Sequence, residues 1–218
     1  MRTLCDNNYI VDRIVDFVSY YLQACASSIS KVLCTFLRCD DVMLVFKGVE
    51  RAYLRELSSR IAVDQLIFIP FNHSNHYILI TARVTMNEKL ITIYDPDTRT
   101  SIAAHVLDQI IDRICSIVLG SYTNVTHPCR VVMSESHPRQ SWNKNDCAVY
   151  IINYMRGLLV GGIYDNSSTW WLDRDEIANI LIYYTMLVAV SNIDEVDEIV
   201  RRVVHTYHTR PSVDVSNI

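Results

Sequence analysis

The feature that most constrains the fold is an abrupt change from a polar segment to an apolar one at a single cysteine. Residues 140–146 are rich in turn formers, and from Cys147 the chain continues as Ala-Val-Tyr-Ile-Ile-Asn-Tyr-Met. This pattern predicts a buried helix whose first turn contains Cys147. The free N–H groups and positive dipole end at that position favour a thiolate over a thiol. Cys147 is therefore a candidate nucleophile, although a cysteine in a buried helix is more often only a packing residue.

Before this helix, the middle of the chain changes from helical to strand periodicity. Short apolar and β-branched runs predict strands, and residues 86–89 predict the turn of an antiparallel hairpin between the last two. The predicted strands cover residues 65–70, 77–84 and 90–94. The predicted helices cover residues 10–22, 27–37, 51–61, 103–119, 173–190 and 194–207, besides the helix that begins at Cys147. Helices, then a small sheet, then helices indicate an α+β fold with a small, mostly antiparallel sheet flanked by helices.

Composition limits the class of protein. The 218 residues fit one domain spanning residues 1–218, and half of them are apolar. A net charge of −4 and a pI near 5.9 argue against a nucleic-acid partner. The sequence contains no signal-peptide pattern and no apolar run of about 18 residues, the length that a membrane span would need.

Seven cysteines without a disulfide framework favour a reducing compartment. We expect the protein to act in the cytosol or nucleus. This expectation includes the case of a viral or pathogen protein that acts inside its host cell. The Cys34/Cys39 and His205/His208 pairs lack the second pair that a zinc site requires. We therefore expect no metal, and the sequence implies no organic cofactor. We also expect a monomer.

A base and its orienting carboxylate are predicted at one edge of the sheet. His76 lies where the second predicted strand starts and Asp95 where the third ends, and antiparallel pairing brings these two points together. Asp95 would then accept the Nδ1–H of His76 and leave Nε2 facing Cys147. A thiolate–imidazolium pair of this kind attacks carbonyl groups. His73 and Asp97 are the alternatives for the two roles, and both are more typical of solvated turns.

Gln140 completes the candidate site. Its side-chain amide could donate to a developing oxyanion beside the backbone N–H of Cys147. The alternative is a surface-loop glutamine, with Ser141 or Trp142 in its place.

Several segments resemble those of one family. The chain contains Ile-Pro-Phe-Asn at residues 69–72 followed by His76-Tyr77, Ile-Tyr-Asp-Pro at residues 93–96, and Tyr-Ile-Val-Asp-Arg-Ile-Val-Asp-Phe at residues 9–17. They are similar to the "IPVN…HW" strand, the "YYDS" strand and the "WLND" helix of the Ulp/SENP proteases. The order His, Asp, Gln, Cys also resembles that of the related adenovirus-type maturation proteases. The seven-residue step from Gln140 to Cys147 matches the adenovirus-type enzymes, whereas the Ulp/SENP pattern has six.

The resemblance implies a papain-like cysteine protease fold and a substrate. In the family, two tryptophans form a narrow slot that admits only a Gly-Gly tail, and the matching positions here are Tyr9 and Tyr77. The resemblance thus implies substrate contacts from Tyr9, Asp12, Tyr77 and Trp142. The alternative is that the two tyrosines are core aromatics.

The expected function is that of a thiol protease cutting after the Gly-Gly tail of ubiquitin-like modifiers, in deconjugation of SUMO, ubiquitin or NEDD8 or in precursor processing. The partner would be the modifier or the modified protein. Three alternatives remain: a viral-type maturation protease cutting Gly-containing sites, an acetyltransferase on the same fold, and a non-catalytic modifier-binding module.

Overall fold

A sheet of five strands organises the part of the chain that the computed structural model describes. That part comprises residues 12–29, 33–49, 52, 56, 58–59, 61–85, 88–97, 102–120, 129–135, 137–140, 145–159 and 172–190. The strands are β1 (Cys34–Phe36), β2 (Leu66–His73), β3 (His76–Val84), β4 (Lys89–Tyr94) and β5 (Cys129–Met133). The helices are α1 (Asp12–Ile29), α2 (Cys39–Phe46), α3 (Ala104–Arg113), a π-helical continuation (Ile114–Val118), α4 (Cys147–Leu159) and α5 (Arg174–Val190).

The strand order follows the chain, β1-β2-β3-β4-β5. Strands β3 and β4 pair antiparallel, as the predicted hairpin required, β2 is also antiparallel to β3, and β1 and β5 run parallel to their neighbours. The sheet is therefore mixed, and the expectation of a mostly antiparallel sheet holds only for its centre. The two edge strands run parallel because helical segments, not hairpin turns, return the chain to the sheet.

A two-residue turn connects β2 to β3 and fixes the start of β3. Ser74 and Asn75 both have positive φ, 53° and 63°, and His73 pairs with His76 across the turn. Positive φ at both central residues is the requirement of a type I′ turn, and Asn tolerates it well. His76 is therefore held as the first residue of β3, at one end of the central strand.

Helices cover both faces of the sheet, because strand residues alternate between two apolar clusters. One face packs Phe68, Tyr77, Leu79 and Tyr94 against α1, α4 and α5. The other packs Ile69, Phe71, Ile78 and Ile80 with neighbouring apolar residues against α2, α3 and the π-helix. Helix α4 is buried on nearly all sides, as its continuous apolar sequence predicted. Cys147, its first residue, is therefore held in place by the packing of this helix.

The predicted helix at residues 27–37 is wrong. Helix α1 continues to Ile29, and Cys34–Phe36 forms β1. Phe36 stacks on Phe68 of β2 at 4.4 Å between ring centroids, a contact that helical spacing at this point would not provide. Helix α2 and strand β5 were not predicted, and the predicted helix at 194–207 lies outside the described residues.

Candidate active site

Cys147 is the first residue of α4, as predicted. Its side chain is buried, with the residue 1% exposed, and Sγ donates to the carbonyl oxygen of Asn75 at 3.7 Å. That carbonyl belongs to the tight turn immediately before His76, so the turn brings the sulfur beside the histidine. At this exposure the thiol must gain access to solvent or substrate before it can attack a protein carbonyl.

His76 and Asp95 meet where β3 begins and β4 ends. Nε2 of His76 donates to Oδ1 of Asp95 at 2.8 Å, and both residues are buried. The sulfur of Cys147 is close enough to the ring to raise the pKa of His76. The structure therefore pairs the predicted imidazole with the predicted carboxylate, and the predicted sulfur is a neighbour of the ring.

The predicted ring orientation is wrong. Nε2 of His76 binds Asp95, which leaves Nδ1 for Cys147, the reverse of the expectation. The sulfur lies beside the backbone of Asn75, close to the root of the ring, where Nδ1 is located. Asp95 follows the end of the neighbouring strand and meets the distal nitrogen. Nδ1 is still the nitrogen available to Cys147, so the relay chemistry is retained.

The environment of His76 favours the imidazolium. Burial opposes protonation, but hydrogen bonds with Asp95 and Cys147 outweigh it and raise the pKa of His76 from 6.5 to about 9. A protonated imidazole at neutral pH is the partner that a thiolate requires, and it is ready to donate a proton to a leaving amine.

The alternatives for the two roles lie elsewhere. His73 packs its ring against Phe71 and Phe46, away from the sulfur. Asp97 supports the carboxylate instead of replacing it, because its backbone N–H donates to Oδ1 of Asp95 at 3.0 Å. That second donor to the same oxygen is a turn contact of the kind common for Asp.

Gln140 lies in the same region and is buried, 6% exposed. Its backbone N–H donates to the carbonyl of Pro96 at 2.8 Å, which ties it to the loop that carries Asp95. Among the described residues, neither atom of its side-chain amide has a hydrogen-bond partner. A buried amide is normally paired, so an unpaired one suits a group that binds a transient oxyanion.

The four residues expected to contact substrate have different outcomes. Tyr77 is a core residue, 1% exposed, and its hydroxyl donates to Asp12, so its expected place in an open slot is not what the structure contains. The physical reason is that Asp12 offers the buried hydroxyl an acceptor, and burial with this bond raises the pKa of Tyr77. Asp12 itself is half-buried and also accepts from Nδ2 of Asn72 at 2.8 Å. Tyr9 and Trp142 lie outside the described residues.

Two residues that the sequence reasoning missed connect α4, and the turn before it, to the start of α5. Arg174 donates from Nε to Asp146 at 2.5 Å and from Nη2 to the carbonyl of Asn145 at 2.9 Å. Asn153 donates to the carbonyl of Leu172 at 2.9 Å and accepts from its N–H at 2.8 Å. Both link α4 to the start of α5. The signal was weak, since a polar residue within an apolar helix shows only that it needs partners, not which ones.

Neither a metal-binding group nor a membrane-spanning helix is found among the described residues. Nowhere in that part of the chain do three or more His, Cys, Asp or Glu side chains form a group that could hold a metal ion. Of the helices described, none has the length and apolar character to cross a membrane.

A cysteine at a helix start, beside a histidine that an aspartate orients, on an α+β scaffold, is the arrangement of thiol proteases with a papain-like fold. Residues 40–192 match the family described as the Ulp1 protease family, C-terminal catalytic domain. Because this match covers more than half of the chain, the chain belongs to the Ulp1 protease family. It is therefore a cysteine protease, as the resemblance implied. None of the curated protein sequences matches it significantly.

Solved structures with the same fold share little sequence with this chain. The C-terminal Ulp1 protease domain in complex with Smt3, the yeast ortholog of SUMO, has a TM-score of 0.62 at 16% identity, over 85% of this chain and 82% of that chain. A de-sumoylating protease has a TM-score of 0.57 at 16% identity, over 94% and 82%. An ASFV protease has a TM-score of 0.50 at 10% identity, over 80% and 66%. These likenesses confirm the predicted α+β, papain-like fold.

Proposed function

We propose that this protein cleaves after the C-terminal Gly-Gly tail of a ubiquitin-like modifier, releasing the modifier from a precursor or from a modified protein. The observation that carries the proposal is the imidazole of His76, which donates from Nε2 to Asp95 and has the sulfur of Cys147 beside it. A packing role for Cys147 would not require a base with a raised pKa beside it.

The proposed reaction uses four groups. The Cys147 thiolate attacks the carbonyl carbon after the tail, and the oxyanion receives hydrogen bonds from Gln140 and from the backbone N–H of Cys147. The imidazolium of His76 donates its proton to the leaving amine, which departs and leaves a thioester. Water, deprotonated by His76, then attacks the thioester and frees the carboxylate of the tail and the thiol. Asp95 keeps the imidazole oriented and stabilises its charge throughout.

The substrate class rests on the family and on its relatives. The family match covers the residues that carry the proposed chemistry, and one structure of the same fold was solved with Smt3 bound. Tyr9 and Trp142 remain proposed contacts for the modifier tail, and Asp12 could contribute only while holding Tyr77 and Asn72. We further propose that the protein acts as a monomer in the cytosol or nucleus, without nucleic acid or membrane as a partner.

The test is covalent capture. Ubiquitin, SUMO and NEDD8, each carrying a C-terminal vinyl sulfone, are incubated with the protein and with Cys147→Ala. A matched control, Cys129→Ala, removes a different half-buried thiol. We expect an adduct with one modifier that Cys147→Ala abolishes and Cys129→Ala retains. The proposal fails if no modifier forms an adduct, or if the adduct survives in Cys147→Ala.

A maturation protease cutting Gly-containing sites in structural precursors is the second candidate. The seven-residue step between Gln140 and Cys147 favours it. Cleavage of Gly-Gly or Gly-Ala peptides without any modifier adduct would support this candidate, and turnover of an acyl-CoA would support the acetyltransferase instead.

A further inference from the structure

His137 is a buried histidine that the proposed reaction does not use. It is 7% exposed, and its Nε2 donates to the backbone carbonyl of Asp95 at 2.8 Å. Its ring packs edge-on against Tyr94 at 5.8 Å and Tyr154 at 5.0 Å between ring centroids. The ring is thus fixed by apolar neighbours, and its donor is aimed at the residue that orients His76.

The short segment that contains His137 is attached to the site at two further points. The backbone N–H of Gln140 donates to the carbonyl of Pro96 at 2.8 Å, and the hydroxyl of Tyr154 donates to the carbonyl of Pro138. One segment therefore connects the Asp95 loop, the candidate oxyanion donor and the helix that begins with the nucleophile.

We propose that His137 is a positioning residue, which holds the Asp95 loop in register with His76 on one side and with Gln140 on the other. The inference rests on the proposed function above, and it assigns His137 no contact with substrate. Without its N–H, the carbonyl of Asp95 loses a buried donor, and the loop relaxes toward another partner. A displacement of the order of 1 Å at the carboxylate is enough to weaken catalysis strongly.

The chemical state of His137 fits this role. Burial lowers the pKa of His137, and the charge of Arg139 acts in the same direction. The neutral ring has a single N–H, and its bond to a carbonyl places that proton on Nε2. The positioning contact is therefore a neutral hydrogen bond, which adds no positive charge beside His76.

The consequence is measurable at His76, whose ionisable neighbours in the site are Asp95 and Cys147. If the Asp95 loop shifts, the hydrogen bond that supports the imidazolium lengthens, and the pKa of His76 falls from its value of about 9. A residue that contributed only stability would reduce the folded fraction and leave this pKa unchanged.

The experiment compares His137→Phe, which keeps the ring packing but lacks the donor, with His137→Gln, which restores a donor. Ile110→Val provides the matched control, because it truncates a buried residue in the cluster on the opposite face of the sheet. Ring nitrogens are titrated by NMR in each variant, and the His76 signal is assigned by its loss in His76→Gln. Hydrolysis of a modifier-based substrate is measured on the same samples.

We expect His137→Phe to lower the pKa of His76 by at least ~0.5 and kcat by about tenfold, with KM nearly unchanged. His137→Gln recovers most of both losses, and Ile110→Val changes neither. An unchanged pKa and kcat in folded His137→Phe overturns the inference. If His137→Phe does not fold, His137→Leu, which also lacks a donor, is judged by the same criteria.

The two proposals fail in different ways. The titration needs no turnover, so a lowered His76 pKa without hydrolysis by the unaltered protein would overturn the proposed function and keep the positioning role. Hydrolysis by the unaltered protein, with no change at His76 in the variants, would overturn only the positioning role.

Discussion

Asp95→Asn removes the negative charge that faces His76 while keeping the size of the side chain. In the intact protein, burial opposes the imidazolium, yet Asp95 and Cys147 together raise the pKa of His76 from 6.5 to about 9. That difference corresponds to about 3 kcal/mol of net preference for the charged ring, to which both partners contribute. An amide oxygen still accepts the hydrogen bond but carries no charge, so we expect the pKa of His76 to fall below ~8.

The lost charge also changes stability in a pH-dependent way. Because the pKa of His76 is raised on folding, its contribution is complete below pH 6.5 and is lost as pH rises through 9. We therefore expect Asp95→Asn to reduce the free energy of unfolding by about 1–3 kcal/mol at pH 6, and by less at pH 9.5. Activity at pH 7.5 falls by ~10²–10⁴, since the ring loses its orientation and its charge.

Urea unfolding at the two pH values measures the stability difference, and NMR titration of His76 measures the pKa. Asp97→Asn is the matched control, because it removes a second buried carboxylate of the same loop and keeps the backbone N–H that donates to Asp95. The reasoning is refuted if Asp95→Asn leaves the pKa of His76 near 9, or if its loss of stability grows from pH 6 to pH 9.5.

Three further predictions concern other groups. Gln140→Ala lowers kcat by ~10²–10³ with little change in KM, because the buried amide acts only on the oxyanion, and an equal effect on KM contradicts this. Asn153→Ala costs about 2–4 kcal/mol in urea unfolding, since both backbone groups of Leu172 lose a buried partner, and a cost under ~1 kcal/mol contradicts it. Cys129 and Cys115 are neighbours, and their interaction lowers the pKa of Cys129 and raises that of Cys115. Peptide mapping after brief iodoacetamide treatment at pH 8 therefore finds Cys129 alkylated before Cys115, and equal rates for these two thiols contradict this.

The sequence predicted the elements whose pattern is long and strong. The three central strands and α4 were placed within a few residues of their observed bounds, because alternation and a continuous apolar run are local signals. Strand β1 is three residues long and depends on pairing with β2, so no local pattern indicates it. Strand β5 is half exposed and follows β4 in parallel, and its register depends on chain that lies far away in sequence.

The sequence indicated which residues form the candidate site, but not which of their atoms are in contact. Hairpin topology indicated that His76 and Asp95 would meet, whereas the expectation that Cys147 joins them came from the helix start and from the resemblance to the family. Which ring nitrogen faces the sulfur depends on the carbonyl of Asn75, and this contact exists only in the folded turn. The role of His137 depends on a bond to a backbone carbonyl, which no residue pattern records.

The charge of the site and its shape depend on different groups. The charge is set by the carboxylate of Asp95, the ring of His76 and the sulfur of Cys147. The shape depends on backbone carbonyls that accept their hydrogen bonds from side chains, not from neighbouring strands. Side chains supply those donors: His137 to Asp95, Tyr154 to Pro138 and Arg174 to Asn145. Because buried carbonyls require partners, removing any one of these donors frees a loop without altering a reacting atom. Substitutions at these positions should therefore lower kcat while the reactive sulfur and its base are intact, which separates them from substitutions of the reacting residues themselves.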